Sequence, residues 1–393
     1  LTIVGDPSAI HSDRRLPSIT GLRLFAALAV YLSHIGAPHE APTALATFFA
    51  SGYAGVTVFF VLSGFVLAYN YFEQVRRPDA ATIYNFFVAR FARVYPLYLA
   101  VLAYVLVRQH ALGIGTDEWW QHLLALQAWN GDVNVAYAFN GPAWSISVEF
   151  FLYACFPLLI PLVAKLDSPR RLLLAGAAVA LTMATLAAWF VTTGHAALPT
   201  TDPGSAHRWI YRMPLPRLGD FLLGILAARL FVHVVGRPGV RQTGRWLAPL
   251  AGAAIVALMA WPALRSTAWS YDLAYGLPAV LLIFALAAAP AGWLSRGLSI
   301  PAVVLLGEAS YAFYLVHSPA IAFLGAGQWR EAVSGSLVAL EVFNLAVILA
   351  LAVGLHLSLE RPARRWLRRK FSYRNGSRRA AASPEAPAPQ TAS

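Results

Sequence analysis

Arg23 and His34 lie eleven residues apart in the first apolar run of the chain, Gly21-Leu-Arg-Leu-Phe-Ala-Ala-Leu-Ala-Val-Tyr-Leu-Ser-His-Ile35. An ionisable side chain inside a bilayer costs roughly 2.5–3.5 kcal/mol on insertion scales, so its presence there calls for a functional reason. Eleven residues of helix are close to three turns and about 16 Å of rise, which puts both side chains on nearly one face at two depths. The chemistry on offer is a cation at one membrane surface and a titratable imidazole toward the other. Desolvation keeps such an imidazole neutral. It can then take a proton from a hydroxyl as general base, or carry a covalent acyl intermediate. The spacing leaves both routes open.

Two further clusters suit the same chemistry. Arg90 and Arg93, in Ala89-Arg-Phe-Ala-Arg-Val-Tyr-Pro-Leu-Tyr98, are three apart and share a helix face. Arginine forks match phosphate oxygens in a bidentate way. With Arg23, and with Arg361 after the last apolar run, they could hold a polyanionic ligand at the cytoplasmic edge. Equally, basic residues at helix starts serve as anchors that snorkel to the surface. On the other side, Glu149 and His317 are expected in the same outer layer as His34, where Glu149 could fix the imidazole tautomer as the acid of a triad does. A nucleotide thioester such as acyl-CoA has the matching form, with phosphates at one end and a reactive acyl group about 16 Å away.

The elements that must position these groups are membrane helices. The chain has 393 residues, 58% hydrophobic and 12% charged, with a mean hydropathy of +0.58. Soluble domains carry about 25% charge. Ten apolar stretches approach the length needed to span about 30 Å of hydrocarbon. They are 19–37, 52–71, 95–112, 144–164, 171–192, 216–235, 246–263, 272–289, 301–325 and 336–358. The stretch 113–143 is too polar to cross, and its Trp119, Trp120 and Trp129 predict an interfacial amphipathic element. With both termini cytoplasmic, 24 of the 30 Lys and Arg fall on the inner side, as the positive-inside rule requires.

The expected fold is therefore an all-α, polytopic membrane bundle of about ten transmembrane helices. A cytoplasmic segment (1–18) precedes a membrane domain (19–371), and a basic, Pro- and Ala-rich tail (372–393) lacks the apolar periodicity of a packed element. The first apolar run lacks a small-residue cleavage site and reads as a retained anchor. Cys155 is the only cysteine, which excludes an internal disulfide and any cysteine-based metal or redox motif. The formal charge of +12 sits beside apolar runs, so it reports topology and not nucleic-acid binding. Membrane lipid is the expected surrounding, and the composition points to a bacterial plasma membrane. Nothing in the sequence fixes an oligomeric state, homodimer included. No internal repeat supports a secondary transporter built on inverted halves.

Seven motifs occur in order: Arg23-x10-His34, Gly55-Val-Thr-Val-Phe-Phe-Val-Leu-Ser-Gly-Phe65, Arg90-x-x-Arg93, Trp144-Ser-Ile-Ser-Val-Glu149, Arg217-Leu-Gly-Asp-Phe-Leu-Leu-Gly224, Ser310-Tyr-Ala-Phe-Tyr-Leu-Val-His317 and Glu360-Arg-Pro-Ala-Arg364. Together they resemble the acyltransferase-3 family of integral membrane O-acyltransferases, over about residues 18–370. The resemblance implies transfer of an acyl group, acetyl first, from acyl-CoA to a hydroxyl, without a metal. It makes His34 the catalytic histidine, with Glu149 as its acidic partner, and sets Arg23, Arg90 and Arg93 around the donor. Trp144, Ser147, Tyr311 and His317 are the expected substrate-binding side chains. Phe150 stands where many members carry a second acidic residue, which removes a paired-carboxylate role. The implied acceptor is a small hydroxylated molecule of the macrolide 3-O-acyltransferase branch, or else a cell-surface glycan.

Overall fold

The computed structural model describes residues 16–115, 117–325 and 335–373. Helices are α1 (Pro17–Ile35), α2 (Thr43–Ala50), α3 (Ala54–Val75), α4 (Ala80–Ala111), α5 (Trp119–Leu123), α6 (Val133–Tyr137), α7 (Trp144–Val163) and α8 (Pro169–Thr192). They continue as α9 (Leu218–Val234), α10 (Val240–Met259), α11 (Leu273–Ala288), α12 (Trp293–Leu298), α13 (Pro301–Glu308), α14 (Ser310–Leu324), α15 (Gly335–Leu355) and α16 (Arg361–Phe371). Among the described residues there is no strand.

Each of the ten apolar stretches holds helix, and six helical spans are long and apolar enough to cross a membrane. These are Pro17–Ile35, Ala54–Val75, Ala80–Ala111, Gly141–Val163, Pro169–Thr192 and Val338–Phe371. α11 and α14 are apolar but shorter. Large apolar side chains such as Leu173, Leu174, Leu181 and Trp189 of α8 stay exposed, as lipid-facing positions should.

The bundle closes through backbone-to-backbone contacts at glycines. A Cβ on Gly64 would stand 2.0 Å from the Phe221 carbonyl oxygen, and one on Gly224 would stand 2.2 Å from that of Val61. α3 and α9 therefore touch along their backbones, the close approach that small residues permit in membranes. Beside this seam lies a fully buried ion pair, Arg217 to Asp220 at 2.8 Å. Arg217 also donates to the Tyr211 carbonyl at 2.7 Å and to Thr57 Oγ1 at 3.1 Å, so it links α9 to α3.

Four boundaries differ from expectation. The third span begins at Ala80 and not near 95, because Arg90 and Arg93 turn into the bundle and do not interrupt the helix. Asp79 caps its start by accepting from the Thr82 amide. The ninth stretch is two helices that meet at Ala309, with Gly307 pressed against the Thr20 carbonyl and Glu308 held by Arg361. The last span runs on through a π-helical turn (356–360) into α16. Residues 113–143 form no single amphipathic helix, but short turns whose Trp119, Trp120 and Trp129 are exposed while His122 and Gln127 are buried. Residues 1–15 and 374–393, which hold most of the expected terminal segments, lie outside the described residues.

Candidate active site

Five long helices and α16 surround a cavity of about 650 Å³. α3 contributes a stripe of Val56, Phe59, Ser63, Val66, Asn70 and Gln74, spaced three or four apart as one helix face requires. Eighteen residues of helix separate the ends of that stripe, about 27 Å of rise, so the cavity is long and narrow. Ser145, Glu149 and Tyr153 form the matching i,i+4 stripe of α7. Arg23, Arg90, Arg93 and Arg368 supply the positive end, and Tyr311 and Tyr314 of α14 line the wall.

The polar groups of the cavity are tied to one another. Arg90 donates to Tyr71 Oη at 3.0 Å and lies over that ring at 5.1 Å. The Tyr153 hydroxyl donates to Glu149 Oε1. Glu149 and Glu360 are the carboxylates whose charge acts on Arg23 and Arg93. Tyr311 donates to the Val94 carbonyl at 2.7 Å. At the opposite end Tyr314 donates to the Pro142 carbonyl at 2.9 Å, and Ser145 donates to Tyr314 Oη at 2.9 Å. That pair of hydroxyls is the ceiling of the cavity.

His317 lies one turn beyond Tyr314, fully buried, with ring centroids 5.7 Å apart. Its ring meets that of His34 edge-on at 4.9 Å. His34 Nδ1 is 2.8 Å from the Val30 carbonyl, and His317 Nδ1 is 2.7 Å from the Tyr314 carbonyl. A carbonyl can only accept, so each Nδ1 carries the hydrogen, and a ring in its neutral form has its lone pair on Nε2. His34 itself is exposed, so the desolvation expected to keep its ring neutral is not provided by burial. His34 occupies the last turn of α1, which Gly36 ends with a φ of 67°. The carbonyls of a helix C-terminus favour a cation.

The structure thus brings Arg23, Arg90, Arg93 and Tyr311 into one cavity and pairs His317 with His34. Pro142, Ala143 and Trp144, at the start of the helix that carries Glu149, are buried, and the Pro142 carbonyl accepts from Tyr314. Counting on from Ser145, Glu149 stands about 6 Å further toward the arginine end. Its charge acts on Arg23 and Arg93, while His34 Nδ1 faces the Val30 carbonyl. Trp144 packs against Tyr211 and Phe60, at 4.8 and 6.5 Å, and Ser147 is buried within the fold; neither lines the cavity.

Ser145, Tyr153, Tyr314 and the α16 arginines Arg365, Arg368 and Arg369 went unselected in the sequence. The first two share the i,i+4 register of Glu149, and Tyr314 is three residues from Tyr311, so helical spacing carried that signal. Of the run Arg361-Pro-Ala-Arg-Arg-Trp-Leu-Arg-Arg-Lys370, only Arg361 and the Glu360–Arg364 motif were singled out, and the rest registered as topological charge. Among the described residues, no group of three His, Cys, Asp or Glu is placed to hold a metal ion.

A membrane bundle with buried arginines, a long cavity and a histidine pair is compatible with acyl transfer, and comparison gives the family. The chain belongs to the acyltransferase-3 family, whose acyltransferase domain matches residues 16–359. It is 37% identical over 381 residues to acyltransferase MdmB of Streptomyces mycarofaciens, covering 91% of this chain and 93% of that relative. It is 24% identical over 333 residues to O-acetyltransferase OatA of Staphylococcus aureus, and 24% over 329 residues to peptidoglycan O-acetyltransferase OatA of Listeria monocytogenes. These matches cover 80% and 79% of this chain but only 52% and 50% of the relatives, so the chain spans about half their length. No solved structure matches the chain. The protein is a multi-pass membrane acyltransferase that takes an acyl donor and a hydroxylated acceptor.

Proposed function

We propose that the protein moves an acetyl-type acyl group from acyl-CoA to a hydroxyl of a macrolide or related glycosylated natural product, at a bacterial plasma membrane. The observation that carries the donor reading is the cavity itself, with arginines at one end and the Ser145–Tyr314 ceiling at the other. Its length of about 27 Å suits a flexible arm that joins a polyanionic head to a reactive thioester. Arg23, Arg90 and Arg93 bind the head, and Glu149, bonded by Tyr153, positions the guanidiniums and limits their net charge.

The thioester passes Tyr314 to reach the histidine pair. There Nε2 of neutral His34 takes the proton of the acceptor hydroxyl as its oxygen attacks the thioester carbonyl carbon. The new C–O bond forms, the C–S bond breaks, and the thiolate leaves as the thiol once the proton is returned. The Val30 carbonyl and the C-terminus of α1 stabilise the imidazolium that forms in between. His317, fully buried beside His34, holds the ring and contributes to the acceptor side. About ten crossings with both termini cytoplasmic accompany this reading, because they put the arginine end where the donor is made.

The macrolide-type acceptor rests on the near end-to-end match to a relative of the same length, against half-length matches to the two O-acetyltransferases. A cell-surface glycan is the second acceptor class, and one experiment separates them. Purified protein incubated with isotope-labelled acetyl-CoA and a panel of macrolides and glycans should give a macrolide ester by mass. Label found only on glycan would replace the acceptor, and label on neither would reject the donor.

A further inference from the structure

A second recess opens between α4 and α16, with a volume of about 430 Å³. Its wall carries six arginines, Arg90, Arg93, Arg364, Arg365, Arg368 and Arg369, and no carboxylate. Arg364 with Arg368, and Arg365 with Arg369, are i,i+4 rows of α16 that face the i,i+3 pair of α4. The helix is held there at its end, where Asn85 and the Tyr373 backbone exchange hydrogen bonds of 3.1 and 2.6 Å. No carboxylate lines the recess itself: Glu360 bonds His356 at 2.8 Å and acts on Arg93 and Arg364 only through its charge, while Glu308 pairs with Arg361 and Glu149 with Tyr153. Six guanidiniums around one concave space repel one another unless an anion joins them.

We propose that this recess extends the arginine end of the long cavity into a phosphate-ester site, where Arg364, Arg365, Arg368 and Arg369 of α16 join Arg90 and Arg93 around the phosphates at the nucleotide end of the acyl donor. Arg90, Arg93 and Arg368 line both spaces, so a ligand seated in one continues into the other. Guanidinium forks match phosphate oxygens in pairs, and a monoanion would leave most of these six unsatisfied. The neighbouring stripe of α16 behaves differently. Trp366 and Phe371 are exposed, with Lys370 4.8 Å from the Trp366 ring, which gives the helix a second face for the membrane surface. An anionic lipid headgroup offers the same phosphate chemistry as the donor, so the test must tell them apart. The proposal rests on the acyl-CoA reading.

The test compares wild type with the exposed-arginine variant Arg365→Gln/Arg369→Gln, reconstituted in purely zwitterionic lipid. Donors are acetyl-CoA, acetyl-dephospho-CoA and S-acetylpantetheine, which has no nucleotide. The variant should raise KM for acetyl-CoA by about tenfold or more, with kcat/KM for S-acetylpantetheine unchanged. Equal losses on all three donors would assign the arginines to folding and overturn the proposal. An unchanged donor KM, with a changed response to added anionic lipid, would hand the recess to a headgroup. Calorimetric titration with adenosine bisphosphate keeps the site separate from the donor reading. Binding by wild type that is lost in the variant supports the recess even if acetyl-CoA is not turned over. Absence of wild-type binding overturns it.

Discussion

At the scale of single residues, hydrogen-bond partners decide which ring nitrogen of a histidine carries the hydrogen. His34 and His317 each give Nδ1–H to a backbone carbonyl of their own helix, so both present Nε2 as the basic atom. His207, in the π-helical turn outside the spans, follows a different rule. Burial, then Arg212 and Arg217, push its imidazole from 6.5 down to about 4, and it pairs with Tyr137 Oη at 3.1 Å. Folding therefore favours the neutral ring. The stability this gives is complete above the unfolded value, and is lost as pH falls through 6.5 toward 4. The gap corresponds to about 3 kcal/mol. Thermal unfolding followed from about pH 7 to about pH 4.5 should show a decline that His207→Gln flattens; an identical slope in the variant would refute this role. Arg23, His34, Arg90 and Arg93 were legible from type and spacing, because charge in an apolar run is conspicuous. Ser145 and Tyr314 carried only the signal of helical register with Glu149 and Tyr311, since hydroxyls in membrane helices are common and only the fold turns these two toward each other.

At the scale of elements, helix existence was readable and helix boundaries were not. Hydropathy located all ten stretches, yet it set the third start about fifteen residues late, because a window average treats Arg90 and Arg93 as exits from the membrane. The polar run before α7 packs against its start, with Gln127 donating to the Ala143 carbonyl at 2.8 Å. Arg217 and Asp220 form a buried ion pair at the α3–α9 seam. Arg217→Met alone should cost about 3–5 kcal/mol, because it leaves a buried carboxylate uncompensated. Arg217→Met combined with Asp220→Leu should recover much of that loss. Melting temperatures in detergent measure both, and a double variant as unstable as the sum of the two singles would show that the charges are not coupled.

At the scale of the whole molecule, the bundle lays positive charge at one end of a long cavity and a pair of imidazoles beyond the other. The proposed topology, an even number of crossings with both termini cytoplasmic, would give that polarity its meaning. Single cysteines on a Cys155→Ser background should react with an impermeant maleimide in whole cells at residues 40 and 201, and fail to react at residues 78 and 236. The reverse pattern would invert the donor side. The central claim is tested most directly by the rate of acetyl transfer in His34→Ala, measured with labelled acetyl-CoA and the best acceptor of the panel. The account predicts transfer reduced by roughly 10²–10⁴ with donor KM little changed, because the base is lost and the arginine end is intact. Transfer at the wild-type rate by that variant would contradict it.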